Sequence, residues 1–282
     1  MADSVSRSNE CEMFYIDSYF LDRYPEFVYS TLAHEFQHML HFVHKTMING
    51  VSSTTWFNEM LSMICEDLLS GSDYLNTSDE YSPKSRLTYF NAGYALLGLT
   101  EWSSDYTAYS YANAYAFGAW LTRNYGGAEL VKSMASNEYV DLECILQAIY
   151  DCGGGTLTVA ELLRQFTRSI CYPELTNTQY TSAGGSCSST NYLKPFCASD
   201  THSITSSATG TSYEITLTPI QLSDYYYIID NKYYITPYYY DAGYAYYLSN
   251  YGEVVIDLGA TTSTKAYYIT GSSSTKSYFV IQ

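Results

Sequence analysis

Positive charge is what this sequence has least of. Across 282 residues there are 13 Lys and Arg against 29 Asp and Glu, a formal net charge of −16. A chain so poor in cations cannot neutralise a run of phosphates, which excludes nucleic acid as a natural partner and disfavours anionic membrane surfaces. Long hydrophobic runs are also missing. No apolar stretch approaches the ~18 residues that a membrane-spanning helix needs. The seven cysteines follow no C-x-x-C spacing, which removes support for a cysteine-ligated zinc site. The opening Met1-Ala2-Asp3-Ser4 has no apolar h-region, so no export signal is legible in this chain. The expectation is a mature region carrying a new start Met.

What is present is a sizeable apolar fraction, 46%, enough for a true core, and an excess of tyrosine, 34 residues. Tyrosine combines β-propensity with a large contact area and a polar tip. With abundant Ser, Thr and Asn it gives an extracytoplasmic character, secreted or on the cell surface. Cys187 and Cys197 flank a Ser/Asn-rich loop and could form a disulfide; Cys144 and Cys152 are a weaker pair. Cys65 reads as a small buried residue in an apolar helix. With an odd number, at least one thiol stays free in a monomer.

The periodicity changes along the chain. Residues 13–20 read as a strand. Pro25 suits the first turn of a helix, and Phe27, Val28, Leu32, Phe36, Met39, Leu40 and Val43 keep helical spacing to about Lys45. Further helices are predicted at about 54–69, 109–125, 128–136, 140–150 and 158–171. Residues 72–107 are mixed. Residues 174–200 read as a linker or long loop. After it come short strand-like runs at 213–218, 225–229, 233–236, 244–248, 254–258, 267–270 and 278–281, separated by turn signals such as Asp230-Asn231. The expected organisation is α+β: a mainly helical domain over 1–173, then a Tyr-rich, sandwich-like antiparallel β domain over 201–282.

Chemistry is concentrated in the first long helix. His34-Glu35-Phe36-Gln37-His38 is an H-E-x-x-H motif. Two His four residues apart lie one turn apart on a single helical face, where both ring nitrogens can meet one zinc ion at ~2.0–2.1 Å. Glu35 beside them is the expected general base, taking a proton from a zinc-activated water. The structural alternative is a helix that merely happens to carry two histidines. A catalytic zinc with two His ligands needs a third ligand and an open position. Glu59, in Trp56-Phe57-Asn58-Glu59-Met60-Leu61-Ser62, can supply it if the two helices pack antiparallel. His44 competes, since it completes a spacing close to the metzincin pattern. That pattern needs a Gly at position 41, and this chain has His41. On an unbroken helix His44 is turned ~600° from His38 and ~9 Å along the axis, out of reach of the same ion. His41 more plausibly lines the site or packs, and His202 stands alone.

The two motifs together resemble the hyicolysin family of bacterial metallopeptidases. More broadly they resemble the gluzincins, the H-E-x-x-H plus distal-Glu group that includes thermolysin and the aminopeptidase-N-like enzymes. The likeness covers about residues 9–135. It implies a zincin-like catalytic domain with one catalytic Zn2+ held by His34, His38 and Glu59, acting on a peptide or protein substrate. It also implies that Glu66, seven residues after Glu59, orients a zinc-binding His, with Asp67 as fallback. Tyr115, three residues before Gly118, would stabilise an oxyanion; Tyr111, one turn earlier, is the alternative. An edge strand over 12–17, carrying Phe14 and Tyr15, would hold the substrate backbone. The aminopeptidase G-x-M-E-N signature is absent, which favours an endopeptidase. The 33 residues before the zinc helix provide less sheet than gluzincins usually carry, so the sheet is minimal or the chain is part of a longer protein. A rival from another class is a Tyr-rich binding or adhesion module with a relic zinc site.

Overall fold

A computed structural model describes residues 13–70, 81–171, 200–205, 209–218, 220, 222–234, 237–241 and 248–257. Most of these are helical: α1 (Ser18–Arg23), α2 (Pro25–His41), α3 (Thr55–Ser70), α4 (Leu87–Gly93), α5 (Thr107–Asn124), α6 (Gly127–Ser136), α7 (Asp141–Asp151) and α8 (Val159–Cys171). The strands are short: β1 (Asp200–Thr205), β2 (Ser212–Leu217), β3 (Tyr227–Ile229), β4 (Lys232–Tyr234), β5 (Tyr240–Asp241) and β6 (Ile256–Asp257). Among the described residues no helix is long and apolar enough to cross a membrane.

Helix α5 is the centre of the core. Ala112, Ala114, Ala116, Gly118 and Ala119 keep it thin, so neighbours approach closely on nearly every side. At Gly118 an added Cβ would lie 2.6 Å from Ile64 Cδ1 and 2.8 Å from Met60 Cγ, so glycine is what lets α3 pack there. Helix α3 contributes Trp56, Phe57, Met60, Leu61, Met63, Ile64 and Leu68, all buried. Each such side chain contributes about 1.5–3 kcal/mol by leaving water. Between these helices lies a bidentate ion pair, Asp67 with Arg123, at 2.5 and 2.9 Å. The Arg123 Nε also donates to the Thr218 carbonyl at 2.8 Å.

Helix α2 is built the other way round. Its inner face is polar and its outer face shows Phe27, Phe36 and Leu40 to solvent. It runs antiparallel to α3, since Ser30 meets Glu66, His38 meets Ser62, and His41 meets Ser53 and Phe57. The chain does not break after His41. It continues as a π-helical segment, Phe42–Ile48, and returns through residues 49–54. Thr54 donates to Asp141 Oδ1 from its backbone N–H at 3.0 Å and its hydroxyl at 2.7 Å, which fixes the start of α3 against α7. Lys45 is fully buried and reaches the Asn137 and Tyr139 carbonyls at 2.5 and 2.8 Å.

The strands pair in twos. β1–β2 and β3–β4 are antiparallel, and β5–β6 is a parallel contact of two residues each. Among the described residues these pairs do not join into a sandwich. Ile215, Leu217, Ile220 and Leu222 sit in the same buried cluster as α3, α4 and α5. Asn91 on α4 pins the later segments there, donating to the Leu222 and Tyr225 carbonyls at 2.7 and 2.8 Å.

Several expectations need correction. The strand predicted over 13–20 does not form: 13–17 are irregular and Ser18 begins α1. The Asp17 side chain accepts from Tyr19 N–H at 2.8 Å, so an N-cap outweighs the β-propensity of Tyr and Phe. Helix α4 and strand β1 were not foreseen. Cys144 and Cys152 are free thiols and not a disulfide, and Cys65 is free and partly buried. The strands predicted at 267–270 and 278–281, most of 244–248, and the Cys187–Cys197 pair lie outside the described residues.

Candidate metal centre

His34, His38 and Glu59 come together where α2 faces α3. One ligand atom from each lies within 4.8 Å of the others. His34 Nε2 is 3.1 Å from Glu59 Oε2 and His38 Nε2 is 3.7 Å from Glu59 Oε1. Ligands held tetrahedrally at ~2.0–2.1 Å from one ion stand roughly 3.4 Å apart, so the spacing fits a small cation. The imidazole centroids are 4.7 Å apart, as one helical turn on a single face requires.

Each imidazole is held from behind. His34 Nδ1 is 2.6 Å from Glu66 Oε1, and Glu66 Oε2 accepts from the Ser30 hydroxyl at 2.7 Å. That places a proton on Nδ1 and aims Nε2 at Glu59, to which the charged ring donates at 3.1 Å. His38 Nδ1 is 3.1 Å from Ser62 Oγ, which donates to Gln37 Oε1 at 2.5 Å. The same hydroxyl lies 3.4 Å from Nε2, so Ser62 supports the His38 ring along its edge. A ring nitrogen bound to a carboxylate or hydroxyl partner, with the other nitrogen free, is the usual preparation of a metal-binding His.

The electrostatics follow from this packing. Burial works against an imidazolium at His34, but hydrogen bonds and charge from Glu59 and Glu66 outweigh it and raise its pKa to about 9. Burial likewise opposes the charge on Glu59, yet His34, His38 and the Tyr111 phenol hold its pKa below the usual range. Without a cation these groups form a charged pair; a cation takes the place of the proton.

Proximity separates the two candidates for a third ligand. Glu59 belongs to the group, whereas His44 is solvent-exposed on the π-helical segment and is not part of it. His41 packs instead. It is buried, its ring meets Phe57, and its Nε2 is 2.6 Å from Ser53 Oγ. Burial and the nearby Lys45 and His38 push its pKa down to about 4, so it is neutral. Glu35 is exposed, next in sequence to His34, and its charge reaches Tyr111.

Two assignments change. Tyr115 is completely buried in the core beside Asp67 and Arg123 and does not face the cluster. Tyr111, one turn earlier on α5, brings the phenol near Glu59, close enough for each to shift the other's pKa. The expected peptide-binding edge strand is also absent. Tyr15 is 81% exposed on an irregular segment, and Phe14 rests 6.4 Å, centroid to centroid, from Phe36. The fallback Asp67 is committed to Arg123. Ser30, Gln37 and Ser62 were not foreseen. Gln37 and Ser62 stand inside the two motifs already singled out, beside a His and one turn from Glu59, and that adjacency was the available signal.

No protein-family model matches the chain, and no curated protein matches it.

Proposed function

We propose that this chain is a zinc-dependent peptidase, acting as an endopeptidase on peptide or protein substrates. The observation that carries the reading is the convergence of His34, His38 and Glu59 from two antiparallel helices, with Glu66 fixed behind His34 and Tyr111 against Glu59. Two neutral nitrogens and one carboxylate form the donor set that suits a catalytic zinc with an open position. Bound there, zinc supplies Lewis acidity, polarising a scissile carbonyl and making water acidic enough to deprotonate near neutral pH.

The chain's own residues supply the rest. Glu35, exposed beside His34, accepts the proton of the attacking water and returns it to the leaving amine. The Tyr111 phenol, kept protonated by burial and by the neighbouring carboxylates, donates to negative charge developing on the carbonyl oxygen. Glu66 and Ser62 support the two imidazoles from behind and hold their orientation. Kinship with the hyicolysin-like gluzincins, a zincin-like catalytic domain within 1–173 and an extracytoplasmic location belong to the same proposal. Their support is the pair of motifs and the tyrosine-rich, cation-poor composition.

The test is metal analysis of the purified chain together with a Glu35→Gln variant. Zinc near one equivalent and a fall in peptide hydrolysis of roughly 10²–10⁴-fold, with zinc retained, are expected. A Glu35→Gln protein that hydrolyses peptides at the unaltered rate ends the proposal.

A further inference from the structure

Arg86 is the one feature at the centre that the proposed chemistry does not use. It closes the turn Pro83–Arg86, whose start is fixed by Ser82 Oγ accepting from Lys84 N–H at 3.2 Å and whose flanks, Pro83 and Leu87, are buried. That turn packs against α3 and α5, the helices that carry Glu59 and Tyr111. The Arg86 guanidinium carbon lies 4.4 Å above the Tyr111 ring centroid, and its charge acts on the Tyr111 phenol, as does that of Glu59. Tyr111 is held from another side by Trp102, with centroids 4.8 Å apart.

Arg123 is paired with Asp67 and Arg164 with Glu161, while Arg23 stacks on Tyr19 at 3.9 Å much as Arg86 does on Tyr111. Among the described residues no carboxylate pairs with Arg86; its one specific partner is the face of Tyr111. Stacking of that kind orients the guanidinium plane and leaves its N–H fork unspent. In a chain with only 13 Lys and Arg, a half-buried cation with no counter-ion among the described residues stands beside Tyr111, whose phenol feels the charges of Glu59 and Glu35. Glu59 and Glu66 are engaged with the histidines, and the carboxylates together repel any anion approaching without compensation.

We infer that Arg86 is a substrate anchor, receiving a carboxylate of the peptide through its N–H fork while Tyr111 holds the guanidinium in place. This rests on the peptidase reading and adds a substrate class to it: peptides with a carboxylate close to the cleaved bond. The carboxylate can come from an Asp or Glu side chain or from a free C-terminus, and both present the same planar pair of oxygens.

Matched peptides separate the sources. One pair differs only as Glu against Gln beside the cleaved bond, with an amidated C-terminus. A second pair differs only as free C-terminal acid against amide. Cleavage by the full, zinc-loaded chain gives KM and kcat. Binding of the same peptides to the zinc-loaded Glu35→Gln protein, by calorimetry or fluorescence anisotropy, gives affinity without turnover. The acidic member of at least one pair should bind roughly 10- to 100-fold tighter, the range of a charge-assisted bidentate contact. Arg86→Gln should erase that ratio through KM, Arg86→Lys should restore part of it, and Arg86→Glu should favour a Lys-containing peptide. The inference is overturned if the unmodified chain binds both members of both pairs equally, or if Arg86→Gln weakens all four peptides by one common factor. If no peptide is cleaved the peptidase reading fails, while the binding ratios still decide Arg86.

Discussion

Removing the carboxylate behind His34 should weaken metal binding without unfolding the protein. Glu66 Oε1 is 2.6 Å from His34 Nδ1, and its other oxygen is fixed by Ser30 at 2.7 Å, so the contact is short, charge-assisted and held in place. Losing such a partner typically costs 10–100-fold in affinity, about 1.4–2.8 kcal/mol. Glu66→Gln, which keeps an acceptor for the His34 N–H, belongs near the lower bound, and Glu66→Ala near the upper. A second signature separates this role from a general structural one. With His34 raised to about 9, a metal binding at neutral pH must displace its proton. Affinity in the unmodified protein should therefore climb about tenfold from pH 7 to pH 8, on top of any contribution from other groups. Without Glu66 the imidazole holds its proton less tightly and this slope flattens. Competition with a chromophoric zinc chelator at the two pH values measures both effects, with circular dichroism as the folding check. A folded Glu66→Ala protein with unchanged affinity and slope would falsify the role of Glu66.

Two further outcomes follow from the packing. Arg123→Met leaves the Asp67 carboxylate, 1% exposed, without its counter-ion, and should lower stability by about 3–5 kcal/mol in urea unfolding; a loss under 1 kcal/mol contradicts the burial argument. His41 has a depressed pKa, about 4 against the usual 6.5, so the unfolded chain takes up a proton there before the folded one. Its contribution is present above pH 6.5 and is lost as pH falls towards 4, up to roughly 3 kcal/mol. His41→Gln should flatten that acid limb in metal-free protein, and an identical limb in both proteins refutes the assignment.

How much of this was legible beforehand varies with the kind of interaction. The helices at 55–70, 127–136 and 141–151 match the periodic reading closely because apolar spacing and Gly stops are local signals. Helix α4 was missed because Leu87, Phe90 and the polar residues between them carry too short a period to read. The expected strand over 13–20 failed because a cap at Asp17 is worth more than a weak strand propensity. Tyr115 and Tyr111 are the instructive pair. Both sit on α5 one turn apart, in a chain with 34 tyrosines, and spacing to Gly118 favours the wrong one. The rotation of α5 against α3, set where Gly118 admits Ile64, points Tyr115 into the core and Tyr111 to Glu59.

The sequence by itself determined the residues of one helical face, His34 and His38, because i and i+4 are neighbours on any α-helix whatever surrounds it. It also named Glu59, from the Trp-Phe-Asn-Glu stretch, and, through the resemblance to gluzincins, Glu66. The tertiary structure decided everything that depends on how two elements meet: the Ser62–Gln37 support behind His38, the approach of the Tyr111 phenol to Glu59 and the stacking of Arg86 on Tyr111. Those contacts join residues far apart in the chain, and no local periodicity carries the crossing geometry that brings them within hydrogen-bond reach.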